Sequence, residues 1–393
     1  MPGRGSGVLA IAGFCVVLVG VNLPNPLVPL YTAHYGLTPL AQSVMFSVYL
    51  LALVITLLAV MLSSRPPSPH RTLVAALALC AVSDLLMMLG ATSYATLLTG
   101  RLVAGVSVGL ATGSAATLAL AGLGERARTT VASGAVIGSL LGNVGGGLFG
   151  SVLPAPQLTV FAAHLLITLG VGAAVVLAAR RSSATATEPQ AQPSTVPGYL
   201  RRHRRAGLVL GAMAWSTAGV VLALVPAALR EVLPEISLLE AVLPGGVFLA
   251  TAWLAQLACR RYLLWLRAWQ LSIPLVTGLV MIAAALEAGA IGWLLVGAVV
   301  CGLGQGPAYS LGLATVTHGL RAGRQGRAAS AYAAVAYGVC GAVTTATGAY
   351  ALTSDVPSAI GGLALILAAA GLIAAAFAGA RQRVLPSGQV VPA

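Results

Sequence analysis

The sequence predicts an all-α membrane protein, and three observations lead to that class: composition, the length of the apolar runs, and charge placement. Of the 393 residues, 58% are hydrophobic and 7% are charged, and the mean hydropathy is +0.95. Soluble globular proteins carry charge on about 25% of their residues. A helix needs about 20 apolar residues to cross the bilayer core, whereas barrel strands are segments of about ten residues with alternating polarity. The runs in this chain are long and apolar on all sides, so they indicate helices.

Twelve apolar runs are long enough to cross the membrane. They lie near residues 8–30, 41–62, 72–92, 95–121, 129–151, 158–179, 207–229, 238–258, 268–288, 290–317, 328–351 and 358–379. We therefore expect twelve transmembrane helices in two six-helix bundles related by pseudo-two-fold symmetry, with bundle boundaries at residues 1–179 and 207–393. The segment 180–206 between them is rich in Ser, Thr, Pro and Gln with arginines at both ends, which is typical of a flexible cytoplasmic linker.

The net charge of +13 follows the predicted topology and does not suggest a nucleic-acid surface. Apart from Arg101 and Arg230, the arginines fall before, between or after the predicted helices at every second connection. The positive-inside rule then places both termini in the cytoplasm. The Ala-, Gly-, Val- and Arg-rich composition without lysine indicates a GC-rich bacterial gene. We expect a monomeric, multi-pass protein of the bacterial inner membrane that contacts lipids and binds no nucleic acid.

The first apolar run ends in a proline-rich stretch, NLPNPLVPLY, at residues 22–31. Prolines interrupt the helical hydrogen-bond ladder, and a helix broken at membrane depth is tolerated only where it lines a cavity or packs on protein. Asn22, Asn25 and Tyr31 would then offer polar groups to a cavity. The alternative is a loosened helix end without a ligand role. Because the run lacks a small-residue cleavage site, we expect a retained helix and not a signal peptide.

Two charged residues, Asp84 and Arg101, lie well inside predicted helices, away from the helix ends. An isolated charge inside the bilayer is costly and should face protein or water, so both are candidates for proton coupling, and Arg101 is the best single candidate for function. They lie at similar depth in helices that run in opposite directions. We hypothesise that they pair, or that Asp84 carries a coupling proton; a structural ion pair or an outward-reaching Asp84 is the alternative. His164 is interpreted as a hydrogen-bonded packing residue, with a proton relay as the alternative.

Aromatic and amide side chains within the runs are candidates for lining a substrate cavity. Besides the three in the first run, they are Gln42, Tyr49, Asn143, Trp215, Trp253, Gln256, Gln305, Tyr309, Tyr332 and Tyr337. Glycines let helices approach closely or bend, and the candidates for packing and gating are Gly105, Gly109, Gly138, Gly142, Gly146 and Gly147. The sequence has no CxxC, His/Cys cluster, phosphate loop, HExxH or Ser/His/Asp set, so we expect no metal, no cofactor and no enzymatic activity.

A modest internal repeat has the spacing of two like halves. Shifting the chain by 199 residues aligns Gly105 with Gly304 and Gly113 with Gly312 without gaps. This offset fits two six-helix halves in the same orientation. In this register Arg101 aligns with Val300, so the halves differ at the buried charge.

These motifs resemble those of the major facilitator superfamily of secondary transporters, and the resemblance covers the whole chain. LLTGRLVAGVSVG is similar to its fourth-helix motif, through Arg101, Gly105 and Gly109. GSLLGNVGGG, residues 138–147, is similar to the fifth-helix motif of proton antiporters, with Asn143 where proline is usual. The resemblance implies that Arg101 assists proton coupling and that the glycine run limits leak and sets export direction. In the loop 63–71, Ser64 stands where the family has the acid of its cytoplasmic gating salt bridge.

We therefore expect a drug- or metabolite-efflux-like transporter that exports a small, largely apolar organic molecule by proton antiport, with alternating access between the bundles. Its partners would be that molecule, protons and membrane lipids. Two alternatives stay open. One is proton-coupled uptake of a sugar, amino acid or similar small nutrient; the other is a transport-inactive membrane sensor or scaffold, which Ser64 and Asn143 suggest.

Overall fold

The computed structural model describes residues 4–63, 68–123, 126–181, 198–259, 266–317, 320, 322–378, 382–384 and 390–392. The helices are α1 (Arg4–Asn22), α2 (Val28–Tyr35), α3 (Pro39–Leu62), α4 (Pro69–Leu89), α5 (Tyr94–Leu123), α6 (Arg126–Val152), α7 (Pro156–Arg181), α8 (Gly198–Ala223), α9 (Val225–Val232), α10 (Leu238–Cys259), α11 (Ala268–Glu287), α12 (Ile291–Thr317), α13 (Ala322–Tyr350) and α14 (Val356–Ala378).

The expected all-α fold is confirmed for the helical bundle, and one short two-stranded hairpin follows it. Strands β1 (Gln382–Val384) and β2 (Val390–Pro392) pair in antiparallel register after the last helix. The sequence of residues 384–392, VLPSGQVVP, places the turn-forming residues Pro, Ser and Gly between valines. This is the pattern of a β-hairpin. The hairpin lies beyond the last long apolar run, so the pattern of apolar runs did not predict it.

The chain is a multi-pass membrane protein. Eleven stretches of the described residues are long and apolar enough to cross a bilayer, and the described part of α6 adds a shorter apolar helix, Val136–Val152. Large apolar side chains point outward from the bundle; Leu166, Leu365 and Leu372, for example, are exposed by 71%, 75% and 73%. Such a surface is unfavourable in water but suits hydrocarbon, because there the apolar side chains meet lipid tails.

The predicted interruption of the first apolar run is confirmed. Helix α1 ends at Asn22, a single 3-10 turn follows at Asn25–Leu27, and α2 continues from Val28. The seventh run is also interrupted, between α8 and α9 at Leu224, with Pro226 at the start of α9. We did not predict this second break, because a single proline near a helix end is a weaker signal than three in one short stretch.

The two halves of the chain repeat the same helix contacts. In the first half α4 packs on α5, α5 on α1 and α3, α6 on α1, and α7 on α1 and α4. In the second half α11 packs on α12, α12 on α8 and α10, α13 on α8, and α14 on α8 and α11. Each contact in the first half therefore has a counterpart in the second.

Two helix pairs, α3 with α13 and α6 with α10, join the halves along a seam. On one side of the seam the Ser47 hydroxyl donates to the Gly341 carbonyl at 3.0 Å, and the start of α3 lies against Gly348 near the end of α13. On the other side Gly147 of α6 faces Val242 of α10. The start of α3 meets the end of α13, so the end of α1 and the start of α14 lie at this end of the bundle. The start of α1 and the end of α14 therefore lie together at the opposite end.

The structure corrects the register of the internal repeat at one helix pair. Gly105 packs against the Tyr49 carbonyl of α3, whereas Gly302 packs against the Phe248 carbonyl of α10. The offset between these two glycines is 197, while the offset between their partners is 199. Gly304, which the ungapped shift had aligned with Gly105, instead faces α11 at Leu271 and Leu275. The counterpart of Arg101 is therefore Ala298 and not Val300.

The close contact at Gly105 gives a test of the packing. In Gly105→Ala the new methyl group would overlap the Tyr49 carbonyl, and overpacking of this kind destabilises by about 1–3 kcal/mol. Gly113 on the same helix is exposed and has nothing within 4 Å of an added Cβ, so Gly113→Ala should raise stability slightly, by up to about 1 kcal/mol, through helix propensity. Thermal unfolding of both variants in detergent measures the difference, and equal melting temperatures would contradict the packing.

Candidate functional site

Arg101 of α5 is fully buried, at 0% exposure, and its guanidinium is held by main-chain oxygens of two other helices. Its Nε donates to the Met45 carbonyl of α3 at 3.0 Å, and Nη1 donates to the Val21 carbonyl of α1. A longer contact of 3.5 Å joins Nη2 to Asn25 Oδ1. Val21 lies in the last turn of α1, where carbonyls have no partner within the helix, so the proline-induced break supplies one of the acceptors.

Tyr49 of α3 covers Arg101 on the side of the seam. The guanidinium carbon lies 4.4 Å from the centroid of the Tyr49 ring, which is the geometry of a cation–π contact. Within the described ranges no carboxylate lies at salt-bridge distance from Arg101. The site therefore keeps one positive charge that only dipoles and an aromatic face compensate.

The predicted pairing of Asp84 with Arg101 is wrong. The Asp84 carboxylate lies 2.8 and 3.0 Å from Nδ1 of His164 on α7, and both side chains are buried, at 2% and 4% exposure. The ring's other nitrogen, Nε2, lies 3.0 Å from the Val16 carbonyl of α1. Equal depth along two helices does not specify which way a side chain points, and Arg101 points toward α1 and α3 while Asp84 points toward α7.

Cys80 lies one turn before Asp84 and completes a small cluster. The donor atoms of Cys80, Asp84 and His164 all lie within 4.8 Å of one another, and two of them, His164 Nδ1 and Asp84 Oδ2, are bonded to each other. Gly20 of α1 lines the cluster, because an added Cβ there would lie 2.5 Å from the His164 ring and 3.2 Å from Cys80 Sγ. The imidazole–carboxylate distances are those of a direct hydrogen bond.

An amide network connects Arg101 to α6. Asn25 donates to Asn22 Oδ1 at 3.2 Å, and Asn22 donates to Ser139 Oγ at 3.2 Å and to the Leu18 carbonyl at 2.8 Å.

Asn22 reaches Ser139 because α1 and α6 approach closely along glycines. Of the predicted packing glycines, Gly138 faces Cys15 and Leu18, Gly142 faces Val19 and Asn22, and Gly146 faces Leu23 and Pro26; Gly109 faces Thr56 and Leu53 between α5 and α3.

An aromatic cluster on the second half meets Tyr49 at the seam. Trp215 of α8 packs on Tyr337 and Tyr309, with ring centroids 4.7 and 5.8 Å apart, and Tyr309 packs on Tyr332 at 5.2 Å. Tyr337 belongs to α13, which packs against α3, the helix that carries Tyr49. The four predicted cavity residues Trp215, Tyr309, Tyr332 and Tyr337 thus form one cluster of rings in the second half.

Several buried polar atoms have no hydrogen-bond partner of normal geometry in the described structure. They are Tyr31 Oη, Thr32 Oγ1, Asn143 Nδ2, Arg204 Nε, Trp215 Nε1, Ser216 Oγ, Trp253 Nε1 and Thr344 Oγ1. Asn143 belongs to the seam, since Gly245 of α10 lies beside it, and Thr344 packs against Gly219 of α8. An unsatisfied buried polar group costs about 1–3 kcal/mol, and each such group in a native protein needs an explanation, such as a functional role or a bound water or ion. Most of these atoms are neutral donors.

Other predicted cavity residues are occupied by packing or by local bonds. Gln42 donates to the Leu37 carbonyl at 3.2 Å at the start of α3. The Tyr332 hydroxyl donates to the Tyr309 carbonyl at 2.7 Å and packs against Gly211 and Gly312. Gln256 packs on Gly306, and Gln305 is buried in α12. Ser64, at which the gating salt bridge departs from the family pattern, lies outside the described residues, as do residues 182–197 of the predicted linker.

Sequence reasoning missed Ser139, Ser216 and Thr344 as site residues, and it favoured packing over a proton relay for His164. Hydroxyl residues are common in transmembrane helices, where they usually bond to the carbonyl four residues earlier. Thr347 does this with Val343 at 2.9 Å, but Thr344 on the same helix does not. No sequence signal separates these two threonines.

Comparison with known proteins agrees with this architecture. The family model described as Major Facilitator Superfamily matches residues 9–345. A solved structure of the nucleoside transporter NupG is similar, with a TM-score of 0.71 and 13% identity over 94% of this chain and 98% of that one. A D-xylose-proton symporter gives a TM-score of 0.72 and 14% identity, over 95% of this chain and 96% of that one.

A third similar structure is a bacterial homolog of the human lysosomal transporter Spinster, in an inward-facing and unoccupied conformation. Its TM-score is 0.68 and its identity 12%, over 95% of this chain and 96% of that one. No curated protein sequence matches the chain. At these identities the likeness concerns the fold.

The geometry at Arg101 predicts that lysine cannot replace it. An ammonium group is a point charge without the planar fork that reaches Met45, Val21 and Asn25 together, so Arg101→Lys should destabilise the protein by about 3 kcal/mol through a poorly compensated buried charge. Arg230→Lys in α9, in a partly exposed position, should change stability by less than about 0.5 kcal/mol. Thermal unfolding of the purified variants checks both values; a fully stable Arg101→Lys would exclude the described role of the carbonyls.

Proposed function

The chain belongs to the Major Facilitator Superfamily, and from that premise we propose that this transporter exports a small, largely apolar organic molecule by proton antiport. Transport without enzymatic chemistry follows from the family. The direction, the coupling ion and the substrate class are proposals that draw on the geometry at the seam.

The proposed architecture has twelve membrane helices in two six-helix bundles, residues 1–179 and 207–393, joined by the segment 180–206. The repeated helix contacts of the two halves support this division. Helix α6 would be the twelfth span, since its 27 residues are long enough to cross the bilayer core. The halves meet mainly along the helix pairs α3–α13 and α6–α10, and the bundles could rock about this seam and expose it to one side of the membrane at a time.

The observation that carries the proposal is the composition of the seam. The rings of Tyr49, Trp215 and Tyr337 present apolar faces, and the unsatisfied groups of Asn143 and Thr344 present neutral hydrogen-bonding atoms. A largely apolar molecule with a few acceptor atoms would stack on the rings and satisfy those groups. A strongly charged solute would find one fixed charge, Arg101, behind the Tyr49 ring.

Coupling to protons is proposed from the two buried ionisable sites of the first half. Arg101 lacks a carboxylate partner among the described residues, so its field disfavours a second positive charge in the seam. Asp84 is buried beside His164. A proton bound between these two side chains would leave the pair electrically neutral. The predicted orientation, with both termini in the cytoplasm of a bacterial inner membrane, agrees with α1 and α14 having their free ends together.

The alternative function is proton-coupled uptake of a neutral nutrient. The unsatisfied neutral donors favour it, because sugars and similar solutes are rich in hydrogen-bond acceptors. Two of the similar structures are named for a nucleoside transporter and a D-xylose-proton symporter, which is compatible with this alternative at the level of fold.

The unsatisfied hydroxyl of Thr344 gives a test that separates function from packing. Thr344→Val removes a buried hydroxyl whose polar neighbour is the weakly bonding Cys340 thiol, so the stability of the empty protein should change by no more than about 1 kcal/mol, while transport weakens because the substrate loses a contact. The matched control is Thr347→Val, whose hydroxyl is already bonded within the helix and which should leave transport unchanged. Melting temperature and initial transport rate measure the two effects; unaltered transport in Thr344→Val would remove Thr344 from the site.

Vesicles of both orientations test the direction of transport. In energised inverted vesicles, which are acidic inside, a compound exported by antiport should release protons and restore the fluorescence of a pH-gradient dye. In de-energised right-side-out vesicles, a symported nutrient should instead make the medium alkaline. A panel of uncharged aromatic compounds, sugars and nucleosides provides the probes. Alkalinisation by a sugar would establish uptake, and substrate flux of any kind would exclude a transport-inactive sensor.

A further inference from the structure

Asp84 and His164 form a buried polar site away from the seam. They belong to α4 and α7, which pack against each other and against α1. The pair contacts α1 at the Val16 carbonyl and at Gly20, where only a glycine leaves room for the His164 ring. This site is therefore closed by three helices of the first half and does not depend on the aromatic cluster.

The hydrogen bonds fix the number of protons in the site. A carbonyl oxygen only accepts, so His164 Nε2, at 3.0 Å from the Val16 carbonyl, carries a proton. Nδ1 lies 2.8 Å from Asp84 Oδ2, and this contact also needs one proton. The proton belongs either to an imidazolium facing a carboxylate or to a carboxylic acid facing a neutral imidazole. In both cases the pair is neutral and holds one proton between its two members.

Loss of that proton would disrupt the site. The Nδ1 lone pair would face a carboxylate at 2.8 Å, inside a site where both residues are almost fully buried. If the remaining proton moved to Nδ1 to restore the contact with Asp84, Nε2 would face the Val16 carbonyl without a proton. The site thus satisfies its bonds to α4 and α1 together only when the proton is present.

We propose that Asp84 and His164 form a proton-binding site that holds α1 against α7 when occupied and releases α1 when the proton leaves. The inference rests on the proposed function in that it names the site at which a coupling proton binds. His164 is then a binding residue of the transport cycle, and its role extends beyond packing.

Helix α1 connects this site to Arg101. Val16 accepts from His164, and Val21, five residues later on the same helix, accepts from Arg101. At about 1.5 Å per residue the two contacts are only about 7.5 Å apart along the axis. A shift of α1 after proton release would therefore move an acceptor of Arg101 and the Asn22–Asn25 network beside it.

The surroundings contain few groups that could take over the proton. On α4 the site faces the Cys80 thiol, and on α7 it faces the Thr168 hydroxyl, 3.5 Å from Nδ1. Helix α1 offers backbone only, at Val16 and Gly20. On α5, Ser107 lies near Cys80, while the charged residue of that helix, Arg101, bonds to α1 and α3.

The first experiment observes the proton directly and needs no transported substrate. The full-length protein is labelled with 15N in the rings of its five histidines, and the spectrum of His164→Gln assigns the His164 signals. We expect a protonated Nε2 and an Nδ1 signal shifted by a strong hydrogen bond. Asp84→Asn should alter these signals and leave those of the other histidines in place, whereas the exposed control Asp355→Asn should change none of them.

Two results would overturn the assignment. One is a His164 Nδ1 signal typical of a free lone pair that is unaffected by Asp84→Asn. The other is a change of the His164 signals on addition of zinc, with reversal by a chelator and dependence on Cys80, which would make the cluster a metal site.

The second experiment measures the effect on conformation. Spin labels at Thr92→Cys and Leu352→Cys report the distance between the halves at the end of the bundle opposite to the start of α1. In vesicles, the populations of short and long distances should change between acidic and alkaline buffer. Asp84→Asn, which mimics a permanently protonated carboxyl, and His164→Gln should each remove this change, while Asp355→Asn should keep it.

This result is separable from the proposed transport function. If the wild-type distances do not respond to pH, or if Asp84→Asn and His164→Gln respond as the wild type does, the proton site is refuted even when vesicles transport a compound. If the distances respond and depend on both residues but no compound moves protons in either vesicle type, the proton site stands and the proposed antiport fails.

Discussion

The structure depends on placing one guanidinium inside a bilayer with no carboxylate partner among the described residues. Arg101 is compensated by carbonyls of α1 and α3 and by the face of Tyr49. The acceptor on α1 exists because prolines end that helix at Asn22 and leave its last carbonyls free. The helix break and the buried charge are therefore two parts of one arrangement, since either alone would leave a polar group unsatisfied in a low-dielectric medium.

Glycines make this arrangement possible. Gly105 brings α5 against the backbone of α3, and Gly142 brings α6 against the backbone of α1. Without these close approaches, Arg101 would not reach Met45, and Asn22 would not reach Ser139. In a membrane, where apolar contact between helices gains little over contact with lipid, this combination of close packing and polar contacts holds helices together.

The first half of the chain stabilises Arg101 and Asp84, the two charged residues well inside its membrane helices, in separate ways. Arg101 faces the second half through Tyr49, whereas Asp84 is turned away from the seam and neutralised by His164. In the second half, Ala298 stands where Arg101 stands in the first, and aromatic rings dominate instead. The two halves therefore share a packing scheme and differ in chemistry, which places the charge on one side of the seam and the stacking surfaces on the other.

The sequence alone determined the class of protein, the membrane helices, the break in the first of them and the importance of Arg101, because each follows from composition, run length or the cost of a buried charge. It also indicated which glycines lie at close contacts between helices. It did not determine that Asp84 meets His164, that Thr344 lacks a partner while Thr347 has one, or that the repeat shifts by two residues at α5 and α12. These features depend on the rotation of each helix about its axis. In a chain that is apolar on all sides, the periodicity of hydrophobic residues carries no information about that rotation, so only the packing of neighbouring helices fixes it.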